Sequence, residues 1–314
     1  MQNNNSIPLV EKHRPTHFDN IVLDPLNKII LKNIIDTGYF PNLLLYGPPG
    51  TGKTTTIINL INSYQEKHNQ KNKELTIHLN ASDERGIDII RSQISQFVNS
   101  KTLFSYGMKF VILDEVDYMT KNAQQALKYL LQNYASSVRF CLICNYISRI
   151  DEGLQNECLR LRFNQLPEQD IIKFLKNISD VEQLHLSDHS LHLIQKLHKS
   201  DMRSMINFMQ SNQNRKENIY IIDNSIWKEL INKLKKGDDL SSLNIYINDI
   251  SSQYNMDKKN IIKDFLNYII RYEECLNIPS FFSFVENIVH FEDCKNSYYV
   301  NYSLIKLSKL LKEL

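Results

Sequence analysis

No sign of charge dominates this chain: 37 basic residues face 35 acidic ones, for a formal net charge of +2. That balance argues neither for nor against nucleic acid, so any DNA-binding surface has to be a local patch. No apolar run is long enough to span a bilayer. The opening Met1–Ser6 is polar and has no apolar signal core, so a soluble, intracellular protein is expected, with no membrane partner. No fixed-period repeat of the solenoid kind is present. Cysteine is scarce and irregular, with five residues at 141, 144, 158, 275 and 294. An odd count with such spacing points to reduced thiols. Cys141 and Cys144 form a C-x-x-C that has no second C-x-x-C to complete a zinc site. They sit in an apolar strand-like run, where a three-residue spacing puts the sulfurs on opposite faces. They are read as core residues.

At 314 residues the chain suits about two or three domains. Up to about Phe163, short apolar strands alternate with helical stretches. Strands are expected at Leu43–Tyr46, Leu75–Asn80, Phe110–Leu113, Phe140–Cys144 and Arg160–Phe163, with helices between, as at Gln124–Tyr134. This is the pattern of an α/β parallel sheet. Gln65–Glu74 reads as a surface loop. After Leu166-Pro167-Glu168 only helical periodicity remains, as in Ile171, Ile172, Phe174 and Leu175. Asn212–Asn218 is polar and reads as a linker. Amphipathic helices resume from Ile226 to Leu314. Tyr298-Tyr299-Val300-Asn301-Tyr302 could stack bases, but a helical core or a subunit contact is the reading preferred here.

The most informative segment is Gly47-Pro48-Pro49-Gly50-Thr51-Gly52-Lys53-Thr54, which fits G-x-x-x-x-G-K-[ST]. The strand Leu43–Tyr46 leads into it and a helical stretch from Thr55 follows. Loop amides and the helix N-terminus would face an anion. Lys53 should reach the β- and γ-phosphates of ATP, and Thr54 should hold Mg²⁺. Phe110–Leu113 runs into Asp114-Glu115-Val116-Asp117, a strand ending in carboxylates at the edge where such sheets bind ligands. Asp114 is expected to bind Mg²⁺ and Glu115 to polarise the attacking water. Asn145 ends Phe140–Cys144. Its amide could orient that water, although an Asn at a strand end is ordinarily a turn former.

These residues resemble the small subunits of replication factor C, clamp loaders among the AAA+ ATPases. Val10-Glu11-Lys12-His13-Arg14-Pro15 is similar to V-E-K-Y-R-P, and Gly47–Thr54 matches the family's phosphate loop. Leu79–Asp88 is similar to L-N-A-S-D-D-R-G-I-D, Phe110–Asp117 to the strand with D-E-A-D, and Asp201-Met202-Arg203 to the D-M-R of the lid. The resemblance runs from Val10 to about Asn207. Beyond that only helical character and length agree. It implies an AAA+ core at residues 1–164 with helices on both faces of the sheet, a small helical lid at 165–215 and an all-helical collar at 216–314. It also implies a hetero-pentameric ring that uses ATP to load a PCNA-like sliding clamp onto primer–template DNA, irrespective of sequence. Nuclear and viral replication sites both fit.

By the same resemblance, Arg14 would lie against base and ribose, and Arg203 would reach from the lid to the γ-phosphate. Arg85 and Arg91 would lie beside or on the helix that starts near Gly86 and lines the DNA, where Ile87 and Arg91 share a face. Lys101 and Lys128 are weaker DNA candidates, open to reading as a solvated basic face. Leu103-Phe104 would insert into the clamp, with a core role for Phe104 as the competitor. The pattern fails at one point. The family places Ser-Arg-Cys before the last core strand, its arginine reaching the neighbour's ATP, and this chain reads Asn156-Glu157-Cys158. Either the chain donates no finger or Arg160 takes over. Two other readings stay open: a mainly scaffolding, ATP-binding subunit with little hydrolysis, and another DNA-directed AAA+ ATPase. The cysteine-free Gln65–Glu74 argues against bacterial loader motors, and no appended winged helix is evident.

Overall fold

The computed structural model describes residues 7–81, 87–100, 107–134, 136–212, 222, 224–254, 256–273, 278–290 and 296–312, with the backbone alone at 87–91 and 296–297. Arg85, Lys101, Leu103 and Phe104 lie outside the described residues. The chain divides into two compact units, Met1–Lys216 and Glu217–Leu314.

The first unit is built on a five-stranded sheet in the order β2-β3-β4-β1-β5. The strands are β1 (Leu43–Tyr46), β2 (Thr76–Asn80), β3 (Lys109–Asp114), β4 (Val138–Cys144) and β5 (Leu159–Arg162). Every pair is parallel, with Leu43 opposite both Cys141 and Leu159, and Thr76 opposite Phe110. Alternation along the strands feeds two cores. Leu43, Leu45, Phe110, Ile112, Cys141 and Ile143 face α2 (Pro25–Thr37) and α3 (Lys53–Lys67). Leu44, Val111, Leu113, Phe140, Leu142 and Cys144 face α4 (Ile87–Asn99) and α5 (Lys121–Asn133). Burial on both faces explains why β1, β3 and β4 read as continuous apolar runs. Cys141 and Cys144 thus lie in different cores. Burial pushes the Cys144 thiol up to about 12, and Cys158 likewise to about 12. Among the described residues no group of three or more His, Cys, Asp or Glu side chains is placed to hold a metal ion.

Local chemistry sets the element ends. Asp24 accepts from the amides of Leu26 and Asn27 and starts α2 at Pro25, and Gly38 at φ +74° ends it. The sequence expectation of a loop at Gln65–Glu74 is corrected at its start, because α3 continues to Lys67. Gln65 is buried there and its amide reaches Thr76 Oγ1 at 3.5 Å. A 3-10 turn at Lys73–Leu75, capped by Asn72, delays β2 to Thr76. Lys109 is a buried lysine whose ammonium donates to the carbonyls of Phe97 (2.6 Å) and Ser100 (2.5 Å), closing the C-terminal end of α4.

After α6 (Glu152–Gln155) and β5 come three helices of the same unit: α7 (Glu168–Val181), α8 (Asp188–His198) and α9 (Met202–Ser211). The short α1 (Leu9–Lys12) is held to them by polar ties. Leu9 N donates to Gln210 Oε1 at 3.0 Å, while Lys12 Nζ and His13 Nε2 lie 2.8 and 2.6 Å from Glu182 Oε1.

Among its described residues the second unit is helical throughout: α10 (Asn224–Lys236), α11 (Leu240–Tyr254), α12 (Lys258–Tyr272), α13 (Pro279–Val289) and α14 (Asn296–Lys312). Trp227 and Phe265 stack in its core with ring centroids 5.6 Å apart. The aromatic run of α14 splits by face. Tyr299 and Val300 are buried, and Tyr298 is 70% exposed. No described helix is long and apolar enough to cross a membrane.

Candidate active site

Three strand ends meet on one rim of the sheet. The loop after β1 carries Gly47–Thr54, β3 ends in Asp114, and Asn145 follows β4, the strand between them. β1 sits where the chain's path reverses, first crossing to the β2 edge and later returning to β5. Ligands bind in the crevice outside such a reversal.

The loop is held in shape from behind. Gly47 lies at φ +143°, and a Cβ there would fall 1.8 Å from the carbonyl oxygen of Phe163. Thr51 is buried and its hydroxyl donates to Pro48 O at 2.9 Å. Gly52 precedes α3, so the first-turn amides of that helix have no intrahelical acceptor and open toward the rim.

Lys53 is only 7% exposed. Its ammonium donates to Gly47 O and Pro48 O, both at 2.8 Å, and to Asn145 Oδ1 at 3.1 Å. Burial pushes its pKa below the usual lysine value, and the Asp114 carboxylate works against that shift. Asp114 Oδ2 accepts from Thr54 Oγ1 at 2.7 Å, and Asp114 Oδ1 accepts from Glu115 N at 2.9 Å. Glu115 itself sits at φ +57°, a left-handed conformation that costs a side-chain-bearing residue energy and recurs at functional sites.

Lys53, Thr54, Asp114, Glu115, Asn145 and Arg203 all line one cavity of about 220 Å³, as do Arg14 and the loop residues Pro49–Gly52. Gly47 and Pro48 stand behind it and contribute carbonyls to Lys53. Arg203, exposed on the first turn of α9, opposes the charge on Lys53, so two cations address the same space. Arg14 pairs with Glu11 at 3.3 Å. Val10, Ile21, Val22, Phe174 and Ile206 add apolar surface to the lining. The donor set fits a magnesium triphosphate. Thr54 and Asp114 offer hard oxygen ligands, the loop offers amides and ammonium, and the apolar lining residues offer surface for a base.

Sequence reasoning missed two contributors. Asp117 is buried, and its Oδ2 accepts from the amides of Asn145 (3.3 Å) and Tyr146 (3.2 Å), fixing the turn that aims Asn145. The acidic motif showed Asp117, but its acceptor role depends on a turn 28 residues away. His78 on β2 approaches Asp114 Oδ2 at 4.0 Å, and no motif marks it.

Of the remaining sequence candidates, Lys128, Glu157 and Arg160 do not line the cavity. Ile87 and Arg91 are on α4, of which only the backbone is described there. Lys128 is on α5. Glu157 accepts from Gln132 Nε2 at 2.7 Å, and Arg160, exposed on β5, donates to Gln155 Oε1 at 3.3 Å.

Residues 43–166 match the family described as "ATPase family associated with various cellular activities (AAA)". The matched stretch holds all five strands of the sheet. The chain is also similar, over longer stretches, to replication factor C subunits. A replication factor C subunit 3 of Blastobotrys adeninivorans is 40% identical over 207 residues, covering 66% of this chain and 60% of that protein. A replication factor C small subunit 2 of Pyrobaculum islandicum is 42% identical over 200 residues, covering 64% of this chain and 62% of that protein. The matched stretch therefore spans about 60% of the relatives' own length. A RuvB mutant of Thermotoga maritima shares the fold with a TM-score of 0.52 at 14% identity, over 83% of this chain and 91% of its own.

Proposed function

We propose that this chain is an ATPase subunit of a replication factor C-type clamp loader, which uses ATP to place a PCNA-like sliding clamp on primer–template DNA. The observation that carries the reading is the convergence of Lys53, Thr54, Asp114 and Asn145 through hydrogen bonds of 2.7–3.1 Å on one strand rim. Phosphoryl transfer mainly needs positioning and charge stabilisation, and this group supplies both.

Lys53, now donating to the loop's own carbonyls, would turn its ammonium to the β- and γ-phosphates. Glu115 would polarise the attacking water and Asn145 would orient it. Arg203 would reach the γ-phosphate from α9, and Arg14 would lie against base and ribose. Thr54 and Asp114 would hold magnesium, which when bound spreads the charge of the phosphate oxygens. We assign residues 1–164 to the AAA+ core, 165–215 to the lid and 216–314 to the collar of a hetero-pentameric ring. Arg85, Ile87, Arg91 and Lys101 are assigned to DNA phosphates, and Leu103 with Phe104 to the clamp. Phosphate contacts of this kind ignore sequence.

Replacing Lys53 with Ala should abolish ATP binding, measured by titration calorimetry. Tight binding retained in that variant would refute the site. A second reading, a subunit that binds ATP and acts mainly as scaffold, is favoured by Glu157 in place of the finger arginine. Co-purified with its native partners, a loader shows ATPase strongly stimulated by primed DNA and clamp, whereas a scaffold binds without turnover. The Asn80–Asp88 block favours both over another DNA-directed AAA+ motor.

A further inference from the structure

Behind the phosphate loop, one contact joins it to α9. Asp201 is the residue before that helix. Its Oδ1 accepts from Ser204 N at 3.0 Å and its Oδ2 from Ser204 Oγ at 2.7 Å, a side-chain cap on the turn that carries Arg203. Met202 N donates to Gly50 O at 3.0 Å. Gly50 lies at φ +74°, and a Cβ placed on it would fall 1.8 Å from Asp201 Oδ1. The carboxylate therefore rests against the bare Cα of Gly50, and any larger residue there would displace it. Asp201 does not line the cavity, whereas Met202 and Arg203, the next two residues, do.

We propose that Asp201 is a positioning residue for the γ-phosphate, and this rests on the triphosphate reading of the cavity given above. By seating the first turn of α9 on Gly50, it holds Arg203 over the same space as Lys53. It also carries any movement of the Gly50 peptide into the helix. The path is short: the Gly50 carbonyl bonds the amide of Met202, and Arg203 is the next residue. A side chain placed this way acts on the nucleotide only through Arg203, so its effect is confined to the group that ATP has and ADP lacks.

The test compares ATP and ADP affinities by titration calorimetry in the full chain, as wild type, D201S, R203A and the double variant. Serine still offers a capping oxygen to Ser204 N but withdraws the carboxylate from Gly50. D201S should lower the ATP-over-ADP preference by about fivefold or more, the size of a modest coupling between sites, with ADP affinity unchanged. R203A should lower the same preference, and the double variant should fall no further, because both changes remove one interaction. If D201S fails to fold, S204A, which removes only the hydroxyl bond to Oδ2, should lower the preference by a smaller factor.

ATP and ADP weakened equally by D201S or S204A would overturn the proposal. So would a preference that stays at wild type in them while R203A lowers it, or one that R203A itself leaves unchanged. Lys53→Ala, measured alongside, decides separately whether the triphosphate site is right.

Discussion

At the scale of single residues, the site depends on side chains held where they would not rest unaided. Burial disfavours the charge on Lys53, while two carbonyls and an amide oxygen take its donors and the Asp114 carboxylate favours the charged form. Glu115 accepts a left-handed backbone, which turns its side chain to the cavity that Lys53 and Asp114 also face. Asp117 spends its carboxylate on two amides and so fixes the turn at Asn145. The division of labour between the adjacent carboxylates is testable. Thr54 and Glu115 N already bond Asp114, and the function proposed above gives Glu115 the task of acting on a water. Glu115→Gln preserves shape and the hydrogen-bonded frame while removing the base. It should leave ATP affinity within error of wild type and lower turnover by about 10²–10⁴-fold, the range for losing a general base. Calorimetric binding together with single-turnover phosphate release checks this. Turnover at the wild-type rate would remove Glu115 from the mechanism.

Among the elements, the short helix α1 has little intrinsic reason to exist, since four residues cannot pay the cost of nucleating a helix. It is held by contacts with α7 and α9. Glu182, at the C-terminal end of α7, receives both Lys12 and His13, and Gln210 on α9 receives the amide of Leu9. The bond from Lys12 chiefly, then that from His13, holds the Glu182 carboxyl below the ordinary glutamate value of 4.5. A depressed folded pKa stabilises the docked arm fully above the ordinary value, and that stabilisation is lost as pH falls through the lowered one. Glu182→Gln should therefore weaken docking of α1 by about 1 kcal/mol at neutral pH, a magnitude suited to a partly exposed ion pair. It should also flatten the acid dependence below pH 4.5. Hydrogen exchange at the amides of residues 9–14 reads both effects. Equal protection in the two proteins at pH 7 would show that Glu182 does not hold the arm. Because Val10, His13 and Arg14 line the cavity, a loosened arm should also weaken nucleotide binding.

For the molecule as a whole, what the sequence made legible follows its periodicities. The inner strands β1, β3 and β4 were readable because residues buried on both faces leave continuous apolar runs, while the more exposed edge strands β2 and β5 mix polar residues into theirs, and the ends of all five fell within two residues of expectation. Lys53 and Asp114 were marked by motifs of fixed spacing at strand ends, whereas Asn145 was marked only by its place after a strand, where an Asn is ordinarily a turn former. The tie from Asp201 to Gly50 was not, since it joins residues far apart in sequence and depends on a missing Cβ. Nor were the Glu182 and Asp117 contacts, where an ordinary carboxylate acquires its role only from the turn or helix that folds against it. Glu157 belongs to the same level in the clamp-loader reading proposed above, where its role would lie in an assembly. It sits between α6 and β5 with its carboxylate bonded to Gln132, and Arg160 nearby is bonded to Gln155. Where a finger arginine reaches a neighbour's triphosphate it is worth about 10³–10⁵ in rate, and an acid in its place would repel the same phosphates. Glu157→Arg should therefore raise the ATPase of the assembled ring, measured as steady-state phosphate release with primed DNA and clamp present. Arg160→Ala should leave that rate unchanged if Arg160 supplies no finger. A rate unaltered by Glu157→Arg in an intact complex would mean that this face of the chain meets no working triphosphate. A fall with Arg160→Ala would transfer the finger role to β5.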